Sequence, residues 1–306
     1  MDRTGEGRTR VSLAELIALR ARIGRSRMAP VHSRAGRSGQ QSSRLYGRGM
    51  DYAESRVYQA GDDVRRLDWR LTARSGKLHT KLFQEDREGS LLIMLDTHAS
   101  MRFGTRSRFK SVQAARVAAA AAWYAVRAGE RVGVMAFGPV QHVLRPQPGS
   151  RGALAVCGAM AAWDSSPAPG RPESLGDALA RASRVQHGAT RVLLVSDGCS
   201  CDASARQRML DLVSRAAVSV LVVADPLELV PPPPGRYPLE HEGERREVLL
   251  HTARQREDFQ RAMGAGPARL GGLAASLGLR CNTIDGATDP LDAVTGVLAA
   301  ARSGAR

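Results

Sequence analysis

The 306-residue chain is poor in aromatic side chains, 4% of the total, and has four cysteines. Cys157, Cys199, Cys201 and Cys281 offer no disulfide framework, and the gap between Cys199 and Cys201 is too short for a zinc knuckle. No apolar run reaches the roughly eighteen residues of a spanning helix. The longest, Val117 to Val126, stops at ten and is rich in alanine. The N-terminus carries charge but no apolar core of a secretion signal, so a cytoplasmic protein is expected. No G-x-x-x-x-G-K-S/T loop is present to cradle ATP, and no G-x-S-x-G elbow to present a nucleophilic serine. There is no internal repeat. The length suits one large domain or two small ones.

Acid is missing from one whole segment. Between Leu16 and Met50 there are eight arginines and no Asp or Glu: Arg20, Arg22, Arg25, Arg27, Arg34, Arg37, Arg44 and Arg48. That segment holds about half of the formal excess charge of +15. Its Gly and Ser content predicts a loosely structured arm. Nucleic acid or an anionic membrane face would attract it. The aromatic residues that stack bases are nearly absent from it, which favours a simply solvated arm.

What is present is a regular alternation. Ser12-Leu13-Ala14-Glu15 is a capping box that opens a short helix with Leu13, Leu16, Ile17 and Ile23 in a stripe. Leu67, Trp69 and Leu71, then Leu78, Thr80 and Leu82, alternate on either side of Ser75-Gly76, predicting strand, turn, strand. Strands are then expected at 91–95, 132–137, 140–144, 192–196, 218–224 and 279–284. Helices are expected at 109–127, 152–163, 175–185, 203–215, 257–277 and 291–302. Pro231 to Gly235 reads as a stiff exposed loop. The pattern predicts a doubly wound, mainly parallel α/β sheet with one antiparallel edge strand and an N-terminal β-hairpin extension. Boundaries are expected as 1–49 for the helix and basic arm, 50–86 for the hairpin extension and 87–306 for the sheet domain.

Ligands in such sheets bind beyond the carboxyl ends of the strands. Asp96 ends the apolar run Leu91 to Leu95, and Asp197 ends Val192 to Ser196, so their carboxylates should converge. The loop Asp96-Thr97-His98-Ala99-Ser100 adds small oxygen-bearing groups, which a hard divalent cation requires.

The element order, with D-x-x-x-S after the first sheet strand and Asp-Gly after a later one, resembles the von Willebrand factor type A fold. Further, Y-x-x-G-D-D-x-R-x-x-D-W from Tyr58 to Trp69, Thr72-Ala73-Arg74, and Asp225-Pro226-x-Glu228 resemble the bacterial family called domain of unknown function 58. The likeness spans about residues 40 to 300. It implies a metal-ion-dependent adhesion-like site with Asp96 as first aspartate, Ser100 as second serine, Ser174 in the second loop and Asp197 in the third. His98 stands where the first serine belongs. Magnesium prefers oxygen, whereas imidazole suits manganese, zinc or cobalt, so the expected magnesium or manganese ion meets a degenerate site. The resemblance also implies work beside a MoxR-type AAA+ ATPase or its client protein.

Gly61, Asp62, Asp63, Arg65, Asp68, Trp69 and Arg74 belong to the shared motif. The arginines beside these acids would repel a cation, so the motif reads as a structural clasp, with Trp69 expected to anchor it to the sheet domain by packing. Ser100, His98 and Asp197 supply a triad inventory, but Ser and His lie two residues apart in one loop, and a metal-dependent hydrolase is the lesser reading. The sequence therefore predicts a non-enzymatic interaction adaptor. The alternatives are nucleic-acid or membrane binding through the arm, or that hydrolase.

Overall fold

The computed structural model describes residues 6–24, 50–59, 61–85, 89–165, 172–185, 191–241 and 244–299. The described residues form two compact units, 6–24 with 89–299, and 50–85. Helix α1 (Leu13–Ala18) opens the first unit, its start fixed by Ser12, whose hydroxyl accepts from the Glu15 amide.

The smaller unit pairs β1 (Met50–Val57) antiparallel with β2 (His79–Glu85) and inserts helix α2 (Trp69–Ser75) between them. The strand expected at 66–71 is thus a helix. Asp68 caps it by accepting from the Leu71 amide, and Gly76 ends it in the left-handed region at φ 69°. The apolar alternation of Leu67, Trp69 and Leu71 misled because it carries no information on the two caps that bracket the helix.

The larger unit is a six-stranded sheet of order β10-β7-β6-β3-β4-β5. In chain order it comprises β3 (Ser90–Asp96), α3 (Lys110–Arg127), β4 (Arg131–Phe137), β5 (Val143–Gln147), α4 (Gly149–Ser165), α5 (Leu175–Val185), β6 (Arg191–Ser196), α6 (Ala205–Val213) and β7 (Ala217–Val223). Then follow α7 (Pro226–Leu229), a separate hairpin β8 (Gly235–His241) with β9 (Glu244–Leu250), α8 (Ala253–Met263), α9 (Ala265–Ser276), β10 (Arg280–Ile284) and α10 (Pro290–Leu298). Every pairing in the six-stranded sheet is parallel except that of β5 with β4, the antiparallel edge expected from the sequence.

Burial on both faces explains the uninterrupted apolar strands. Leu91, Ile93 and Leu95 of β3 join a core with α1, α3, α4 and α10, while Leu92 and Met94 face α5, α6 and α9. Helix α3 is buried almost all round. Its alanines admit close neighbours, and its outer side is covered by Leu16, Leu19 and Ile23 of the N-terminal segment. Trp123 Nε1 donates to the Leu16 carbonyl at 3.0 Å, so the helix opening the chain is part of this core.

One further expectation is corrected. The single helix at 257–277 is two, α8 and α9, meeting at Gly264, where a Cβ would lie 2.3 Å from the Glu228 carbonyl. Pro267 fits the first turn of α9, where its missing N–H costs nothing. The loop expected at Pro231–Gly235 runs up to the start of β8, and the β8–β9 hairpin that follows it was not expected. Its strands are mostly exposed and strongly charged, which hid the alternation of a half-buried strand.

Candidate functional site

Because β3, β6, β7 and β4 run parallel, the residues that leave them gather along one edge of the sheet. Asp96 ends β3, Asp197 follows β6, Asp225 follows β7 and Gly138 follows β4. All three carboxylates are buried.

Asp96 is satisfied from two sides. Its Oδ1 accepts from the His98 amide at 2.9 Å and lies 2.7 Å from His98 Nδ1, while Oδ2 accepts from Ser196 Oγ at 2.6 Å. The His98 ring meets Phe137 edge-on at 6.1 Å and lies over Gly138. Burial opposes a charge on His98, but Asp96, with a further contribution from Asp197, outweighs it and raises the pKa. Gly138 is required twice, by its φ of 107° and because a Cβ would sit 2.9 Å from His98 Nδ1.

Asp197 is held by a residue that the motif reading passed over. Lys110, first residue of α3 and 3% exposed, places Nζ 2.9 Å from Asp197 Oδ2 and 2.7 Å from Glu228 Oε1. Asp197 Oδ1 accepts from the Cys199 amide, and Glu228 Oε2 from the Asp225 amide. Asp225 in turn accepts from the Thr105 amide at 2.8 Å and from Thr105 Oγ1 at 2.6 Å. One chain of bonds thus ties the loops after β3, β6 and β7 to the start of α3.

The charges respond as this geometry dictates. Burial works against the Lys110 ammonium, yet Asp197 and Glu228 together raise its pKa. Burial would raise Asp197, but Lys110 and the Cys199 amide hold it below the ordinary carboxylate value. At Glu228 burial wins and the pKa is raised. One ammonium serves two buried acids, and Glu228 is the less fully compensated.

Ser100 has a buried hydroxyl without a hydrogen-bond partner, close enough to Asp197 to help lower its pKa. The Ser174 hydroxyl accepts from the Asp177 amide at 3.2 Å and donates to Asp177 Oδ2 at 3.1 Å, capping α5. A divalent ion would need free oxygens here. Every oxygen of Asp96 and Asp197 already accepts from a protein donor, and Lys110 sets a positive charge against Asp197. Among the described residues no three His, Cys, Asp or Glu side chains group as metal ligands. The donor set does not fit a magnesium or manganese ion.

A sequence signal for Lys110 exists. The chain has three lysines, at 77, 81 and 110, against forty-two arginines. A lone lysine opening an apolar helix in such a chain marks a place for a compact ammonium, which a guanidinium cannot mimic. Asp225-Pro226-x-Glu228 was legible as a motif, and its work is now clear. Asp225 and Glu228 form a capping box on α7, and Glu228 turns its second oxygen to Lys110.

In the smaller unit the motif acids are satisfied locally. Asp62 pairs with Arg56 at 2.7 Å and accepts from the Gln59 amide, and Asp63 accepts from the Arg65 amide. Asp68 accepts from Leu71 N and from Ser55 Oγ. Gly61 turns the chain at φ 108°, while the side chains of Arg65 and Arg74 stand exposed. The first two arginines assigned to the arm belong to the sheet unit instead. Arg20 lies over the Trp123 ring at 5.5 Å, and Arg22 pairs with Asp289 at 2.6 Å. Arg25, Arg27, Arg34, Arg37, Arg44 and Arg48 lie outside the described residues. Among the described residues, no helix is long and apolar enough to cross a membrane.

The family described as "Protein of unknown function DUF58" matches residues 54–268. The uncharacterized protein Rv1480 of Mycobacterium tuberculosis is 30% identical over 222 residues, 72% of this chain and 69% of that protein. The uncharacterized protein Mb1516 of Mycobacterium bovis matches to the same extent. Among solved structures, BatB from Bacteroides thetaiotaomicron is 16% identical with a TM-score of 0.42, covering 68% of this chain and 95% of that one. A von Willebrand factor type A protein from Catenulispora acidiphila is 15% identical with a TM-score of 0.35, covering 61% and 44%.

Proposed function

The chain belongs to the DUF58 family, and from that premise we propose that it is a non-enzymatic, cytoplasmic adaptor that recognises a partner protein with the loops at the sheet edge. The observation carrying this reading is the bonded chain Thr105–Asp225–Glu228–Lys110–Asp197, which fixes three loops before any partner arrives. A fixed loop surface spares the partner the cost of ordering it. Arg106, next to Thr105, stands exposed on that surface, and Arg102 is half exposed with Asp164 3.7 Å away. Arg108 is turned inward toward Glu15. The recognised group is therefore an acidic segment that meets Arg106 first.

The lesser, hydrolytic reading has less support. His98 Nδ1 is committed to Asp96, and the Ser100 hydroxyl has no base bonded to it. Family resemblance supplies the partner class, a MoxR-type AAA+ ATPase or its client. The test is binding of the purified chain to the MoxR-type ATPase of its own organism, with Arg106→Glu as the variant. We expect binding that weakens with salt and falls in the variant, while thermal unfolding is unchanged. Absence of binding to the ATPase and its clients, or ester or phosphoester turnover lost in Asp96→Ala, would overturn the reading.

A further inference from the structure

We infer that the ammonium of Lys110 is the resident cation of the sheet-edge site, and that its removal would open the site to a divalent metal. Asp197 and Glu228 are brought together from the ends of neighbouring strands β6 and β7, 4% exposed or less with Lys110 between them. Two buried carboxylates on one point need a positive charge there. The chain supplies it from α3 with one of its three lysines. An ammonium is a compact point charge with three donors, here engaging both acids at 2.7 and 2.9 Å. It stands against the aspartate that the resemblance makes a metal ligand.

The second candidate ligand is closed in the same manner. Asp96 Oδ1 faces His98 Nδ1, and Oδ2 faces Ser196 Oγ. Protein donors therefore occupy both acidic positions, and the Ser100 hydroxyl is left buried without a partner. With Lys110 removed, Asp197, Glu228 and the Ser100 hydroxyl would supply an oxygen-rich, negatively charged cavity, the donor chemistry that manganese and magnesium take. This deepens the adaptor reading at the same surface, and it is read out with protein and metal alone, so failure of partner binding leaves it standing.

The experiment compares the full wild-type chain with Lys110→Met and with Lys110→Met combined with Glu228→Gln, each stripped with EDTA. Free Mn²⁺ is followed by electron paramagnetic resonance, and thermal unfolding is measured with and without the ion. We expect no saturable Mn²⁺ binding and an unmoved midpoint for wild type. Lys110→Met should unfold at a lower temperature in EDTA, bind Mn²⁺ saturably and recover part of its midpoint, a gain weakened by Glu228→Gln. Saturable binding by wild type with a raised midpoint would overturn the inference, as would a folded Lys110→Met that gains no binding. If Lys110→Met does not fold in EDTA, refolding it in Mn²⁺ supports the inference, and otherwise the wild-type titration decides.

Discussion

Lys110 Nζ lies 2.9 Å from Asp197 Oδ2, with the lysine side chain 3% exposed and the aspartate 0% exposed, across 87 residues of sequence. This pair joins the start of α3 to the turn after β6, and through Glu228 to the turn after β7. An ion pair in that setting is a poor source of net stability but a severe loss when one partner goes. Lys110→Met leaves two acids buried without their cation and should cost about 3–5 kcal/mol in urea unfolding. Lys110→Arg should restore little, because a planar fork cannot occupy the point between the two carboxylates.

The N-terminal helix makes a separate prediction. Leu16 is 1% exposed and shares the core of α3, so Leu16→Ala should cost about 2–5 kcal/mol. Deleting residues 1–24 should lower the thermal midpoint more than Leu16→Ala does, because Leu19, Ile23 and the bond from Trp123 to Leu16 go with it. Charge in the arm is therefore better tested by replacing the arginines between 25 and 48 than by truncation.

His98 gives the expected pH dependence. Its folded pKa is raised by Asp96, so its protonated form contributes stability that is complete below the unfolded value of about 6.5. That contribution is lost as pH rises through the folded value. Urea unfolding measured upward from about pH 6 should show stability falling as pH rises past about 6.5 in wild type. The fall should be absent in His98→Gln, which carries no titrating ring.

Gly138 lies under that ring. Gly138→Ala combines a strained φ of 107° with a Cβ 2.9 Å from His98 Nδ1, and should cost more than about 1 kcal/mol. It should also flatten the pH dependence assigned to His98. An equal loss at every pH would show that backbone strain acts alone.

Residues whose patterning is dictated by burial were readable in the sequence. Leu91 to Leu95, Val192 to Ser196 and the alanines of α3 announce a central parallel sheet because both faces are covered. That Asp96 and Asp197 leave the ends of neighbouring parallel strands followed from the strand ends alone. What could not be read was decided by contacts distant in sequence or by local caps. Lys110 reaches Glu228 over 118 residues, and no periodicity encodes that. Trp69 looks like a strand residue because its alternation with Leu67 and Leu71 is apolar, but Asp68 and Gly76 bracket a helix. The β8–β9 hairpin buries Leu250 and half-buries Tyr237, Leu239 and Val248, but its many charged residues mask that alternation.

The most direct test of the account is a crystal of the full chain grown with Mn²⁺, with anomalous scattering recorded at the manganese edge. The account predicts the Lys110 ammonium between Asp197 and Glu228, and no anomalous peak beside Asp96, Ser100 or Asp197. A peak bridging Asp96 and Asp197, with Lys110 swung away, would contradict it.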